Sequence, residues 1–385
     1  MSTVKHDPLR ELTEIRDQLS YSKRIGFLFG AGTSKSMGIS DISGLTKLIE
    51  EKISKDLSPK LEKVKAQLNP DQKHIEGILN QTRLIRQITC DSKDKSFDGI
   101  NGEEAKNLDK SICDKIYNII SEEEEKSDVR TAKKFIRWLN WLSRDYPKEI
   151  FTTNYDLIFE KSFEDLFIPF FDGFIGSHEP FFAYQTIENT TTYDRPPISW
   201  IRLWKLHGSL GWFWKKGEND KSDRVIRLAA GSKENYPDSE LVIYPSKDKY
   251  ESSRKQPFTS YFDRLKEFLL DGEGIFIING YSFADEHINE VIFNSLNQNN
   301  RIHAIVFFYS DKSLKRIIES NKNIPNFTLI SPSQASISGI VGEWELNKEN
   351  EILSPFWNKD QKCLTIGDFK HMVDFFILCS GMKED

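Results

Sequence analysis

Residues 23–40 read KRIGFLFGAGTSKSMGIS, and the rest of the chain is best understood from this segment outward. Ile25, Phe27, Leu28 and Phe29 form an apolar run that stops at glycines and small polar residues, the pattern of a buried strand entering a tight loop. The next segment, GLTKLIEEKIS, sets Leu45, Leu48, Ile49 and Ile53 on one helical face, with Asp41 or Ser43 as the N-cap. Strand, glycine loop and helix make the phosphate-binding unit of a nucleotide fold. In Gly30-Ala31-Gly32-Thr33-Ser34 the small residues let backbone approach a pyrophosphate, and free N–H groups would stabilise its charge. The loop is not a complete G-x-G-x-x-G fingerprint, because the third glycine position is Lys35. Nor does a Gly-Lys-Ser/Thr close it, which disfavours an ATP-driven motor.

Downstream, residues from about 55 to 145 are rich in Lys, Glu, Asp, Gln and Asn, and Phe135, Trp138, Leu139 and Leu142 are helically spaced. This reads as a helical insertion, with the Glu122–Glu125 run as a solvated face. A second α/β stretch follows, with strands expected at 149–152, 201–206, 241–244, 274–279 and 303–308. Between the last two, Ile288, Val291, Ile292 and Leu296 form a helical stripe behind Ser282 or Asp285 as cap. Strand, helix, strand implies a parallel sheet with right-handed crossovers. The expected fold is therefore α/β, a Rossmann-like parallel sheet with helices on both faces. A nucleotide-binding domain over 1–310 would carry the insertion, and 311–385 would be a small C-terminal extension packed on it.

Ligands of such a sheet sit beyond the carboxyl ends of its strands. Four polar strand ends qualify. The first is the glycine loop. In Thr152-Thr153-Asn154-Tyr155-Asp156 an apolar strand gives way to an amide and a carboxylate. In Leu206-His207-Gly208 an imidazole sits beside a glycine that leaves room for a ligand. Gly280-Tyr281-Ser282-Phe283-Ala284-Asp285 opens a helix. Each also has a plain structural reading: an Asx turn and cap for Asn154 and Asp156, a satisfied core histidine for His207, and a helix cap for Gly280–Asp285. One ligand would explain all four together.

Composition narrows the class. With 385 residues, 38% hydrophobic and 29% charged, the chain is globular in type, and no apolar run reaches the ~20 residues needed to cross a bilayer. The charged start lacks a secretory leader's apolar centre, so a soluble, cytoplasmic protein with no membrane association is expected. A net charge of −6 offers no general attraction to nucleic acid. The four cysteines (Cys90, Cys113, Cys363, Cys379) form no Cys-x-x-Cys pair, which argues against a zinc ribbon and for reduced, mostly buried thiols. Trp212, Phe213 and Trp214 are read either as an interface or as burial beside the pocket.

Taken together, the motifs resemble the sirtuin superfamily. Gly30–Ser34 is similar to its GAG-x-S loop, Gly38-Ile39-Ser40-Asp41 to its G-I-P-D segment, Asn154-Tyr155-Asp156 to its Asn-x-Asp, and His207-Gly208 to its catalytic His-Gly. Ser40 replaces the proline, and the cysteine tetrad of the protein deacetylases is missing. The forms T-T-N-Y-D, L-H-G-S and G-Y-S-F-x-D-x-H-I-N resemble the zinc-less sirtuin-like NADases of bacterial anti-phage defence, in the short form that partners a HerA-type ATPase.

The resemblance implies NAD as substrate and no zinc. It implies Asn154 and His207 as catalytic residues, with Gly30, Ala31, Gly32, Ser34, Asp41, Thr153, Asp156, Gly208, Gly280, Tyr281 and Ser282 binding the dinucleotide. It further implies homo-oligomerisation and a possible HerA-type partner, while the net charge of −6 leaves direct nucleic-acid contact unexpected. Nicotinamide leaves NAD as a neutral group from a cationic one, so the cleavage needs an oxocarbenium-like ribose to be stabilised and a water to be placed, not a strong acid. Asn154 would orient the water or ribose, and His207 would accept a proton. Two competing readings stay open: a sirtuin-type deacylase, and a non-catalytic NAD or ADP-ribose-binding assembly subunit.

Overall fold

The computed structural model describes residues 4–188, 195–215, 217, 224–228, 240–243, 257–320, 324–347 and 354–382. Ten strands make the main sheet: β1 (Lys5–His6), β2 (Arg24–Phe29), β3 (Glu149–Thr152), β4 (Phe170–Phe171), β5 (Ile201–Lys205), β6 (Gly274–Asn279), β7 (Ile302–Phe307), β8 (Phe327–Ile330), β9 (Gln334–Ile337) and β10 (Ile340–Trp344). Their spatial order is β1-β10-β9-β8-β7-β6-β2-β3-β5-β4. From β8 to β4 every neighbouring pair is parallel. The fold is thus the Rossmann-like α/β architecture expected from the sequence. The chain runs from β2 outward through β3 to β5, then returns to the other side of β2 as β6 and continues to β7 and β8. The strand order therefore reverses between β2 and β6, the place where doubly wound sheets open a ligand crevice.

Both faces of the sheet are covered. Ile25, Phe27 and Phe29 enter one apolar core and Leu28 the other, as the two-residue period of a strand requires. Helices Pro8–Tyr21, Arg130–Trp141 and Phe369–Ser380 lie on the first face, where Trp138 stacks on Phe376 at 4.7 Å. Helices Phe258–Leu270, Glu286–Gln298 and Asp311–Ser320 cover the second, around Leu265, Ile292 and Leu314.

Between β2 and β3 the chain forms helices Ile42–Lys52, Ser58–Ala66, Ile75–Thr89, Gly102–Lys126 and Arg130–Trp141. The long helix Gly102–Lys126 begins with a reciprocal capping box of Asn101 and Glu104. It packs along Ile75–Thr89, where Arg86 and Arg83 reach the buried Asp109 at 2.6 and 3.3 Å. After Asp311 the chain does not simply lie on the sheet: β8 extends it in parallel, and β9 and β10 turn back antiparallel to meet β1.

A second sheet, Glu240–Ile243, Gly208–Lys215, Arg224–Arg227, Phe181–Phe182 and Phe174–Ile175, adjoins β5 in sequence. Tyr244, the end of the strand expected at 241–244, lies outside the described residues. Trp212, Phe213 and Trp214 are buried in this sheet, which decides between their two readings. The cysteines depart from expectation: only Cys113 is buried, Cys363 and Cys379 are partly so, and Cys90 is exposed. Among the described residues no helix is long and apolar enough to cross a membrane.

Candidate functional site

Register lines up the carboxyl ends of four strands. Asn279 of β6 pairs with Phe29 of β2, Phe29 with Thr152 of β3, and Thr152 with Lys205 of β5. The residues that follow are the ones singled out from the sequence, so Gly280, Gly30, Thr153 and Leu206-His207 sit along one edge. Thr153 N–H donates to the Phe29 carbonyl at 3.0 Å and Leu206 N–H to that of Thr152 at 2.8 Å.

The glycine segment is less a loop than the first turn of a six-residue helix, Ala31–Ser36, with Gly30 as its N-cap. Its N–H groups are not all open to a ligand. Gly30 donates to the Asn279 carbonyl at 3.1 Å, Gly32 to that of Gly280 at 2.9 Å, and Thr33 to that of Gly30 at 3.0 Å. The glycines are required by this close approach. A Cβ on Gly30 would lie 2.5 Å from the Gly280 oxygen, and one on Gly32 would lie 2.7 Å from the Gly280 Cα. Gly280 has φ +67, and its own Cβ would meet the Thr33 nitrogen at 2.4 Å. Backbone packed on backbone across the β2–β6 crevice is thus a structural reason for glycine at these three positions.

Asn154 ties β3 to that turn. Its buried Nδ2 donates to the Gly30 carbonyl (3.0 Å), Thr33 Oγ1 (3.2 Å) and Ser34 Oγ (2.7 Å). Ser34 in turn donates to Asp156 Oδ2 at 2.6 Å, while Asp156 Oδ1 accepts from the Ile158 N–H at 3.3 Å. Lys205, nearly inaccessible, bonds the Asp156 carbonyl and pairs with Glu160 at 2.8 Å.

His207 occupies the sharp turn where the chain leaves β5 for the second sheet. Gly208, at φ +91, makes that turn possible, and a Cβ there would lie 2.3 Å from the Val242 carbonyl. The imidazole Nε2 lies 2.8 Å from Asp285 Oδ2, joining the β5 end to the β6 end over the intervening strands. Asp285 also caps helix Glu286–Gln298, accepting from the His287 and Ile288 N–H groups at 2.9 and 3.2 Å. Burial works to raise its pKa, but the hydrogen bond and charge of His207 and the two backbone donors win and hold it below the ordinary carboxylate value.

The remaining sequence candidates are placed around this edge. Ala31 is part-exposed in the first helical turn. Tyr281 buries its ring and donates its hydroxyl to the Asp285 carbonyl (3.2 Å) and Asn289 (3.0 Å). Ser282 is exposed, with its carbonyl taken by Arg316. Asp41 stands apart from the Asn154 cluster. It caps helix Ile42–Lys52 through the Gly44 N–H and pairs with Lys35 at 2.6 Å, and that hydrogen bond is the largest cause of its lowered pKa.

Three residues at this edge were given no site role in the sequence reading: Asp285, Glu123 and Glu124. Asp285 was placed at the Gly280–Asp285 strand end and as a cap, but not as a partner of His207. The acidic run was read as a solvated face, yet only Glu122 and Glu125 fit that description. Glu123 accepts from Ser40 N–H and Oγ at 2.8 and 2.6 Å, and Glu124 accepts the Leu157 N–H at 2.6 Å. Burial, then the negative charge of Asp156, pushes Glu124 up to about 7. Its helical register, three and four residues past Ile120 on a face that otherwise ends buried, was the available signal.

Residues 148–327 match a family described as a SIR2-like domain. No curated protein matches the chain. Among solved structures, a mutant Sir2 homologue in complex with 2′-O-acetyl ADP-ribose is similar at 12% identity and a TM-score of 0.43, covering 97% of this chain and 98% of that one. A Sir2 homologue–NAD complex is similar at 12% identity and a TM-score of 0.39, covering 100% and 98%. The family match takes in Asn154, Asp156, His207 and Asp285, and stops short of the Gly30–Ser34 turn.

Proposed function

We propose that the chain binds NAD along the carboxyl edge of its sheet and hydrolyses the nicotinamide–ribose bond. The observation that carries this reading is the pairing of His207 with Asp285 at 2.8 Å, on the same strand-end row as the turn held by Asn154. A carboxylate on one ring nitrogen orients the imidazole and stabilises the imidazolium formed when it takes a proton from a ribose hydroxyl or water. Asn154 spends its amide hydrogens on the Gly30–Ser34 turn, so its contribution to the ligand comes through Oδ1 and through holding that turn in place. The SIR2-like match over 148–327 supports a ligand of the NAD class.

The same reading makes the protein a cytoplasmic homo-oligomer that depletes NAD in anti-phage defence beside a HerA-type ATPase. Support for these points is the resemblance of T-T-N-Y-D, L-H-G-S and G-Y-S-F-A-D-E-H-I-N. The helices over 55–145 and the residues after 311, as additions to the nucleotide-binding core, are its assembly surfaces.

Chromatography of NAD incubated with the purified chain, alone and with its genomic neighbour, tests the activity. Nicotinamide and ADP-ribose should accumulate, and His207→Ala should reduce their release by about 10²- to 10³-fold. Unchanged release by that variant would remove the mechanism. Stoichiometric NAD binding without turnover would favour the non-catalytic reading, to which the committed Asn154 amide also lends itself. Release that depends on an acylated peptide would favour the deacylase.

A further inference from the structure

The helical insertion grips the candidate site from one side. Glu76 and Arg83 both belong to helix Ile75–Thr89. They lie two helical turns apart, so they share one face and stand about 10 Å from each other along the axis. One reaches the end of β3, and the other reaches the strand that backs the end of β5.

At β3 the side chains divide. Asn154 and Asp156 both meet Ser34, whereas Tyr155, between them, donates its hydroxyl to Glu76 Oε1. Tyr155 and Glu76 are both buried, at 8% and 7% exposure. The Tyr155 carbonyl accepts the Leu210 N–H at 3.0 Å, which ties the same residue to strand Gly208–Lys215.

At β5 the contact is a charged one. Arg83 Nη1 donates to the Ile243 carbonyl at 3.1 Å, and register sets Ile243 opposite Gly208, the residue after His207. Both oxygens of Asp109, on helix Gly102–Lys126, accept from Arg83 Nε at 3.3 Å and so orient the guanidinium. That second helix adds its own holds. Glu124 takes the Leu157 N–H at 2.6 Å, and just past the helix the Asp128 N–H donates to the Met37 carbonyl at 3.0 Å. Asn154 and His207 leave different strands, and one helix face spans the two.

We propose that helix Ile75–Thr89 is the positioning element of the site, with Glu76 acting through Tyr155 on Asn154 and Arg83 acting through Ile243 on His207. Its effect on turnover rests on the NAD-cleavage reading; its hold on the two segments does not. A displacement of about 1 Å in a reacting group can cost about 10²-fold in rate, so contacts that set placement show in kcat before they show in folding.

Steady-state nicotinamide release and hydrogen exchange, both on the full chain, test this. Tyr155→Phe removes one hydroxyl and keeps the ring, while Arg83→Lys keeps a charge beside Asp109 but loses the fork. Each should lower kcat about tenfold or more with KM for NAD within about threefold of the parent. Glu76→Gln, whose amide oxygen still accepts from Tyr155, should keep more of the rate than Tyr155→Phe. Exchange should quicken beyond the substituted contact, over 206–210 in Tyr155→Phe and over 153–158 in Arg83→Lys. If Tyr155→Phe does not fold because the Glu76 carboxylate loses its donor, combining it with Glu76→Gln breaks the same contact without the buried charge.

A kcat within about twofold of the parent in both variants, while the parent cleaves NAD, would overturn the positioning role and leave the NAD reading standing. So would a kcat loss no larger than the loss of folded chain. A parent that never cleaves NAD ends the NAD reading instead, and exchange then decides: acceleration confined to the substituted side would make these two separate structural contacts and overturn the coupling.

Discussion

The amide of Asn154 and the hydroxyl of Ser34, 120 positions apart in the chain, meet at 2.7 Å. The hydroxyl passes its own hydrogen to Asp156. One side chain therefore fixes the turn after β2 relative to the end of β3. This hydrogen-bonded chain is what makes the crevice edge a defined surface.

Replacing Asn154 by Ala removes three buried hydrogen bonds, although the Gly30 carbonyl keeps its bonds from Thr33 and the Ser34 hydroxyl its bond to Asp156. A hydrogen bond contributes about 0.5–1.5 kcal/mol net. The variant should fold with a lowered urea midpoint and lose NAD cleavage together with NAD affinity. Unaltered stability would show that the three contacts are not made in solution.

Asp285→Asn separates two duties of one residue. Asparagine remains a good N-cap for Glu286–Gln298, but it no longer presents a carboxylate to His207. Nicotinamide release should fall about 10²-fold with the chain still folded and its melting temperature at neutral pH lowered only by the loss of the ion pair. The pH dependence has a definite sign. Asp285 is held below its ordinary 3.8 when folded, so its stabilising effect is full above that value and is lost as pH falls through the folded value. The stability difference between the parent and Asp285→Asn should shrink on acidification below about pH 4, and a difference that grew there would contradict the pairing.

Much of this was legible in the sequence because strand ends advertise themselves. An apolar run that stops at Gly30, at Asn154 or at His207 identifies a carboxyl edge, and parallel topology then gathers such edges in one row. What could not be read was pairing at a distance. Asp285 lies 78 residues from His207, and nothing local distinguishes a cap that also holds an imidazole from one that does not. Glu123 and Glu124 were hidden by composition, since four consecutive acids read as solvated until the helix carrying them is docked against Ser40 and Leu157. The glycines were legible as a close approach, but the contact they make with the Gly280 backbone was not, because Gly280 lies far along the chain from Gly30 and Gly32.

Glu124 supplies a second pH test, of opposite sign. Its folded value is about 7 against an ordinary 4.5, chiefly through burial and then through Asp156. Between those values the folded chain binds more protons than the unfolded one, so stability should fall as pH rises from 4.5 to about 7 and level off above. Glu124→Gln keeps an acceptor for the Leu157 N–H and removes the titration. Urea midpoints across this range should slope less in the variant, and parallel curves would place the proton elsewhere.

The β2–β6 contact can be tested by adding one methyl group. At Gly280 an alanine must adopt φ +67, and its Cβ would sit 2.4 Å from the Thr33 nitrogen. The left-handed conformation alone costs about 1–3 kcal/mol in a non-glycine residue. The clash is with backbone, which cannot rotate away as a side-chain tip would, so overpacking adds about 1–3 kcal/mol more. Gly30→Ala meets the Gly280 oxygen at 2.5 Å without a positive φ, so it should destabilise less. Gly38→Ala is the control: it shares the positive φ, at +100, but its nearest neighbour is 4.0 Å away, so it isolates conformational strain from collision. The expected order of destabilisation by urea denaturation is Gly280 above both Gly30 and Gly38. If Gly280→Ala and Gly38→Ala cost the same, the two turns do not touch, and the glycines after β2 revert to explanation by a bound ligand.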